Sequence, residues 1–144
     1  MQINFWKEKE RELINPELFS SIAQRFAQDV ARDDSGEDAP SQIRKFYDEV
    51  LRYQSMIKSD EDFQKLLPFI KMLNAKIAYS SARKSMGKNL ISKTFKDFLS
   101  SSINTIKDRK DFEVFVNFFE AFMGFYKFED EKKRQERNEE RRRR

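Results

Sequence analysis

Residues 111–128 read DFEVFVNFFEAFMGFYKF, with seven phenylalanines between Phe112 and Phe128. At 3.6 residues per turn, Phe112, Phe115, Phe119, Phe122 and Tyr126 fall on one stripe. Val114, Phe118, Ala121 and Phe125 form a second stripe on another side. A helix that is apolar over so much of its circumference is central in a bundle or shared with a partner. The pattern predicts a core helix, with Val114, Phe118 and Phe125 as the part a second subunit would meet if the helix is shared. Asp108 reads as its cap, with the helix starting near Lys110. Residues 129–144 (EDEKKRQERNEERRRR) are all polar. They extend the helix and then fray, because nothing there can pack.

Upstream, the same period recurs. Asn15-Pro16-Glu17 opens a first helix that runs to about Arg32, with Leu18, Phe19, Ile22, Phe26 and Val30 inward. Residues 33–40 (DDSGEDAP) read as a polar, flexible loop, and their carboxylates suggest at most weak cation binding. Ser41 caps a second helix with Ile43, Phe46, Val50, Tyr53 and Ile57 on one face. Asp60 caps a third, which kinks or restarts at Pro68. Phe69, Ile70, Leu73 and Ile77 make its core stripe, and Lys71, Ala75, Ala78 and Ala82 a small-residue stripe suited to a close helix contact. Residues 85–89 are a stop and loop, and Ser92 caps a fourth helix with Phe95, Phe98, Leu99, Ile103 and Ile106 inward. The fold class is all-α: a compact bundle of about five helices with a charged C-terminal helical extension. Residues 1–128 read as a single domain, with 1–14 a loosely held arm that docks its aromatic residues, and 129–144 as a charged Arg-rich tail.

The chemistry is bounded by what is missing. The 144 residues include neither Cys nor His. Disulfides, thiolate metal sites and the usual general base are therefore excluded. No carboxylate pair is placed as an acid–base couple, so neither enzymatic activity, nor a metal, nor a cofactor is expected. No apolar run approaches a membrane span, and the N-terminus lacks an apolar signal region, which points to a cytoplasmic protein.

Charge is segregated along the chain. The formal net charge is +4. Residues 63–110 hold eleven basic and two acidic residues, whereas residues 1–40 hold five and nine. From Phe63 to Lys96 there is no Asp or Glu, yet Lys65, Lys71, Lys76, Arg83, Lys84, Lys88, Lys93 and Lys96 all occur. A surface that keeps cations and excludes anions suits a polyanion. Met72, Lys76, Tyr79 and Arg83 (i, i+4, i+7, i+11) interleave cations with a ring that can stack on a base. The bland reading of that stripe is a solvated helix edge. The terminal Arg tetrad also attracts polyanions, although the acids among it favour a solvated tail. Laid on helices, the acid-free stretch reduces to Lys76 and Arg83 on one clean face. Arg44, Lys45 and Arg52 of the second helix complete a composite patch, and Lys88, Lys93 and Lys96 extend it.

The runs SQIRKFYDEVLRY (41–53), LLPFIKMLNAKIAYSSARK (66–84) and KDFEVFVNFFEAFMGFYKF (110–128) together resemble the small subunit of type III-A CRISPR effector complexes, the Csm complexes. The likeness covers roughly Ser41 to Phe128 and leaves out residues 1–14 and the tail. It implies a small helical bundle without nuclease activity. It further implies several copies beside the guide–target RNA duplex, next to the backbone subunits and the large polymerase-like subunit, with basic residues holding the target RNA in antiviral defence. Carried over by motif, those positions are Arg44, Lys45, Arg52, Lys71, Lys76, Arg83 and Lys84; Tyr79 and Lys88 join them from the stripe and the charge. Sequence specificity would come from guide pairing. The alternative is a purely structural helical adaptor for protein–protein assembly. Self-association of the isolated chain, including a helix-swapped homodimer through the Lys58-Ser59-Asp60 connection and the Gly87 loop, is a further expectation.

Overall fold

The computed structural model describes residues 3–85 and 87–144, and for Ser85 the backbone alone. Met86, within the expected stop and loop, lies outside the described residues. Among the described residues the chain forms five α-helices: α1 (Ala23–Arg32), α2 (Pro40–Met56), α3 (Asp60–Ala82), α4 (Lys93–Thr105) and α5 (Arg109–Arg143). Two short antiparallel pairs complete it. Strand β1 (Trp6–Glu8) pairs with β2 (Leu13–Ile14), and β3 (Lys84–Ser85) with β4 (Lys88–Asn89). The protein is an all-α bundle, as its periodicity predicts.

α5 is the post around which the rest is arranged. Phe112, Phe115, Phe118, Phe119 and Phe122 are each at most 1 % exposed. Phe26 of α1 packs against Phe122 at 4.9 Å and Phe98 of α4 at 4.3 Å between ring centroids. Phe98 meets Phe118 at 5.2 Å, and Phe95 stacks on Phe122 at 5.7 Å. Tyr47 of α2 reaches Phe119 at 5.3 Å. These offset and edge contacts suit aromatic quadrupoles and add to the burial of each ring. Val114 and Phe118, read as available to a second subunit, are covered within this one chain, with Phe118 meeting Phe5 of the N-terminal arm. The far end of that stripe, Ala121 and Phe125, is half-buried.

Several local readings change. The N-cap of α2 is Ala39, with Pro40 in the first turn where its missing N–H costs nothing, so Ser41 is not the cap. Ser59, not Asp60, caps α3 by accepting from Asp62 N at 3.1 Å. α3 runs through Pro68 without a break. Pro68 and Gln64, whose carbonyl loses its donor, both face solvent, so water can reach that carbonyl. Phe69 and Phe19 are 50 % and 37 % exposed, not core. Ala75, Ala78 and Ala82 face solvent, so their stripe makes no close intramolecular contact. A π-helical turn, Leu18–Ile22, precedes α1. The caps Ser92 and Asp108 hold as expected, accepting from Phe95 N and Asp111 N.

The N-terminal arm is held firmly. Trp6 Nε1 donates to Asp111 Oδ1 at 2.9 Å, and Lys9 Nζ bridges Asp111 and Asp108, each at 2.9 Å. Burial raises the Asp111 pKa, but Lys9, the Lys107 N–H and Trp6 outweigh it and the net shift is downward.

Residues 33–40, expected to be flexible, are instead clamped onto the start of α4. Asp38 Oδ1 accepts from Ser92 N (2.7 Å), Ser35 Oγ from Lys93 N (3.0 Å), and Asp33 Oδ2 from Thr94 N (2.9 Å) and Thr94 Oγ1 (2.6 Å). With Ser92 Oγ serving Phe95 N, four consecutive N–H groups at this helix start are satisfied by side chains. Gly36 pairs with Asn89, and a Cβ on it would lie 2.3 Å from Ser92 N and 2.4 Å from the Ile91 carbonyl carbon. Asp38 has a φ of 47°, which Asp tolerates better than most residues, and its backbone carbonyl accepts from the Tyr126 hydroxyl at 2.6 Å. The carboxylate of Asp38 is buried, and its Oδ2 has no protein donor.

Two stability predictions follow from this clamp. In Gly36→Ala the clash is with backbone and cannot be relieved by a rotamer change, so urea unfolding is expected to show a loss of about 1–3 kcal/mol or more. The pH dependence has two opposed parts. Burial raises the Asp38 pKa to about 6 from 3.8, despite the bonds from Ser92. Its contribution is therefore full below pH 3.8 and lost as pH rises through 6. At Asp33 burial also pushes upward, but bonds from Ser35 and Thr94 win and hold the carboxyl at about 2. Its contribution is present above 3.8 and lost as pH falls toward 2. Asp38→Asn keeps an acceptor and tolerates the positive φ. Thermal unfolding is expected to show the Asn variant gaining on the parent as pH rises through about 6; a constant difference between the two would refute the assignment.

Candidate nucleic-acid interface

The acid-free run places its cations unevenly. Lys76 and Tyr79 of α3 and Arg83, the extended residue that caps its C-terminus, line the solvent side, with Tyr79 66 % exposed. The Arg83 guanidinium lies 6.0 Å from the Tyr79 ring centroid, within cation–π range. Immediately beyond, the β3–β4 hairpin carries Lys84 and Lys88, both exposed, and turns at Gly87 with a φ of 84°. Lys76, Tyr79 and Arg83 thus form one edge suited to phosphate or base contact, while by strand register Lys84 and Lys88 project from opposite faces of the hairpin beyond it.

α2 supplies the other side. Lys45 and Arg52 are seven residues apart and share a face, whereas Arg44 is turned about 100° from Lys45. Arg44 pairs loosely with Asp48 at 3.7 Å and lines a groove of about 500 Å³ against α5, with Tyr47, Met123 and Lys127. The structure therefore joins Arg52 to Lys76, leaves Lys45 exposed on the face of Arg52, and sets Arg44 on a different border.

The residue that joins α2 to α3 was not singled out from the sequence. Glu49 accepts from Lys76 Nζ, from Arg52 at 3.2 Å and from the Tyr53 hydroxyl at 3.1 Å. Burial pushes its pKa up, but these partners outweigh it and hold the carboxyl below its ordinary value. One anion thus locates two cations, and the patch keeps a positive balance. The spacing to Arg52 (i+3) and Tyr53 (i+4) is visible in the sequence; the link to Lys76 requires the tertiary fold.

Lys71 is committed elsewhere. It is half-buried, and its Nζ donates to the Ile103 carbonyl at 2.6 Å, in the last turn of α4. Burial lowers its pKa. A cation on the exposed carbonyls of a helix C-terminus is favourable. Asn74 supports the same junction by donating to Asn104 Oδ1 at 3.0 Å. Lys93 is exposed at the start of α4 and Lys96 is half-buried.

Among the described residues no group of three or more acidic side chains is placed to hold a metal ion, and no helix is long and apolar enough to cross a membrane. Beside the cations, α3 exposes Phe69 and Met72, at 50 % and 51 %.

The chain matches the family model described as Csm2 Type III-A over residues 14–132. No curated protein and no solved structure matches it. The matched span contains α1 to α4, the β3–β4 hairpin and the phenylalanine column of α5, and so takes in the whole patch. With that match over most of its length, the chain belongs to the Csm2 family, the small subunit of type III-A CRISPR effector complexes.

Proposed function

We propose that this subunit holds the backbone of target RNA without catalysing its cleavage, in the cytoplasm, as part of antiviral defence. The observation that carries this reading is the exposure of Lys76, Tyr79 and Arg83 along one side of α3 and its C-terminal end, with Lys84 and Lys88 exposed on the hairpin beyond them. Arg52, held by Glu49, and Lys45 on the same face widen the edge from α2. Cations neutralise phosphates and Tyr79 offers a stacking face, a combination that binds single strands without reading sequence. Sequence is then left to the guide RNA by base pairing. Lys71 is excluded from the proposed contacts, because its charge is spent on α4. Arg44 is peripheral to them.

A second reading, an assembly adaptor, draws support from the exposed Phe69 and Met72 on the same helix. Apolar side chains of this size beside solvent-facing alanines offer a surface for another subunit of the complex. The two readings are compatible, since they use different residues of α3. Reconstitution of the complex with Lys76 and Arg83 reversed to Glu separates them. Intact assembly with lost protection of target RNA supports the backbone clamp, and failed assembly supports the adaptor.

Binding to RNA is expected to be strongly salt-dependent. Three to five phosphate contacts on a single strand give a log–log slope of roughly −2 to −3.5. Removing Lys76 and Arg83 together, each to Ala, is expected to shallow that slope by about 1.4, at about 0.7 per phosphate. Lys71→Ala is expected to lower the unfolding temperature and leave the slope alone. A flat salt response, or an unaltered slope in the double variant, contradicts the clamp.

A further inference from the structure

Beyond Phe128 no apolar residue follows, yet α5 continues to Arg143. Every side chain from Arg134 to Arg144 is exposed. The extension adds turns to a helix already nucleated by the core, so it avoids the cost of starting a helix in water. Its ion pairs lie at its base: Lys127–Glu131, Lys132–Glu129 and Arg134–Asp130. Among the described residues no carboxylate lies within ion-pair distance of Arg137 or Arg141.

The helix sorts these charges in a way the linear sequence conceals. Arg134, Arg137 and Arg141 (i, i+3, i+7) share one face, and Arg144 follows at the cap. Glu136 and Glu139 lie more than about 120° round the helix from the centre of that face, whereas Glu140, three residues from Arg137 and four from Arg144, borders it. Two of the three acids that look interspersed are therefore set aside from an arginine stripe, and Glu140 stands at its edge. Arg137 and Arg141, four residues apart, repel each other and cost the helix stability unless an anion spans them. From Arg134 onward every cation is Arg, whose planar guanidinium matches phosphate bidentately. Favourable interaction with the helix dipole accounts for cations in the last turn only, which leaves Arg134 and Arg137 outside it. With nothing apolar to bury, the extension cannot seat a hydrophobic protein contact.

From this arrangement we infer that the Arg134–Arg144 stripe is a second site for RNA backbone phosphates, distinct from the α2–α3 patch and beyond residues 14–132 that match the family. The stripe's partner is a polyanion that follows one helix face, which RNA supplies in a complex built on RNA. The site does not depend on the α2–α3 reading, and the test keeps the two apart.

The test compares two double variants of the full chain with equal loss of charge: Arg137→Gln with Arg141→Gln on the stripe, and Arg142→Gln with Arg143→Gln off it. Each is titrated with fluorescent single-stranded RNA across a range of salt, in the parent and again with Lys76 and Arg83 both replaced by Ala. The stripe pair is expected to shallow the salt slope by about 1.4 in both backgrounds, and the off-stripe pair by less than half as much. Hydrogen exchange across residues 135–143 is expected to slow on RNA addition in the parent and not in the stripe variant. Equal effects from the two pairs would mean diffuse attraction and overturn the site. So would no effect from either, or loss of complex assembly with RNA binding unchanged, which would assign the stripe to an acidic protein partner. Failure of the α2–α3 patch alone would appear as an unaltered slope for Lys76 and Arg83 with the stripe effect intact.

Discussion

The column of phenylalanines along α5 is the constraint on which the rest of the molecule depends. Its rings are covered by α1, α2, α4 and the N-terminal arm. Each buried aromatic contributes on the order of 1.5–3 kcal/mol by removal from water. α3 has no such claim on the column. It meets α5 through Phe63 against Phe112 and otherwise rests on α4 and α2. That secondary position leaves a long side of α3 facing solvent. The helix able to carry a binding edge is thus the one the core needs least.

The way α3 and its hairpin are fixed explains how a basic edge can be presented with precision. Lys71 and Asn74 tie α3 to the end of α4, while residues 33–40 tie β4 and the start of α4 to α5 through Asp38 and Tyr126. Glu49 does the same between α2 and α3 with a single carboxylate. Each fastening uses a charged or polar group that a reading of charge alone counts as surface. Polar side chains inside such junctions satisfy backbone groups that would otherwise be buried unpaired. Lys45, Arg83, Lys84 and Lys88 keep their charge turned to solvent, and Arg52 and Lys76, exposed while sharing one carboxylate, leave the patch net positive.

Much of this was legible in the sequence, because the period of the apolar residues is a local property. The inward faces of α2, α4 and α5 were read correctly residue by residue, and so were the caps Ser92 and Asp108. Errors arose where a tertiary contact decides the outcome. Phe69 fits the core stripe of α3 by spacing, but no neighbour covers that side. The segment Asp33–Pro40 has every mark of a mobile loop, yet its short polar side chains find the N–H groups of a helix some sixty residues away. Lys71 and Lys76 look alike in sequence, five residues apart; only the fold sends one to a helix carbonyl and the other to a carboxylate beside solvent. Family membership was legible from three runs of residues, and the family match over 14–132 agrees with it. The arginine stripe escaped notice because its acids are adjacent along the chain and separated only once the helix is wound.

The account stands or falls on where RNA touches this subunit inside the assembled complex. Photocrosslinking of target RNA to the reconstituted complex, followed by peptide mapping, answers that most directly. The account predicts adducts within residues 45–52 and 76–88, and none at Lys71. Adducts confined to other subunits, or falling on this chain only at the acidic first forty residues, would contradict it.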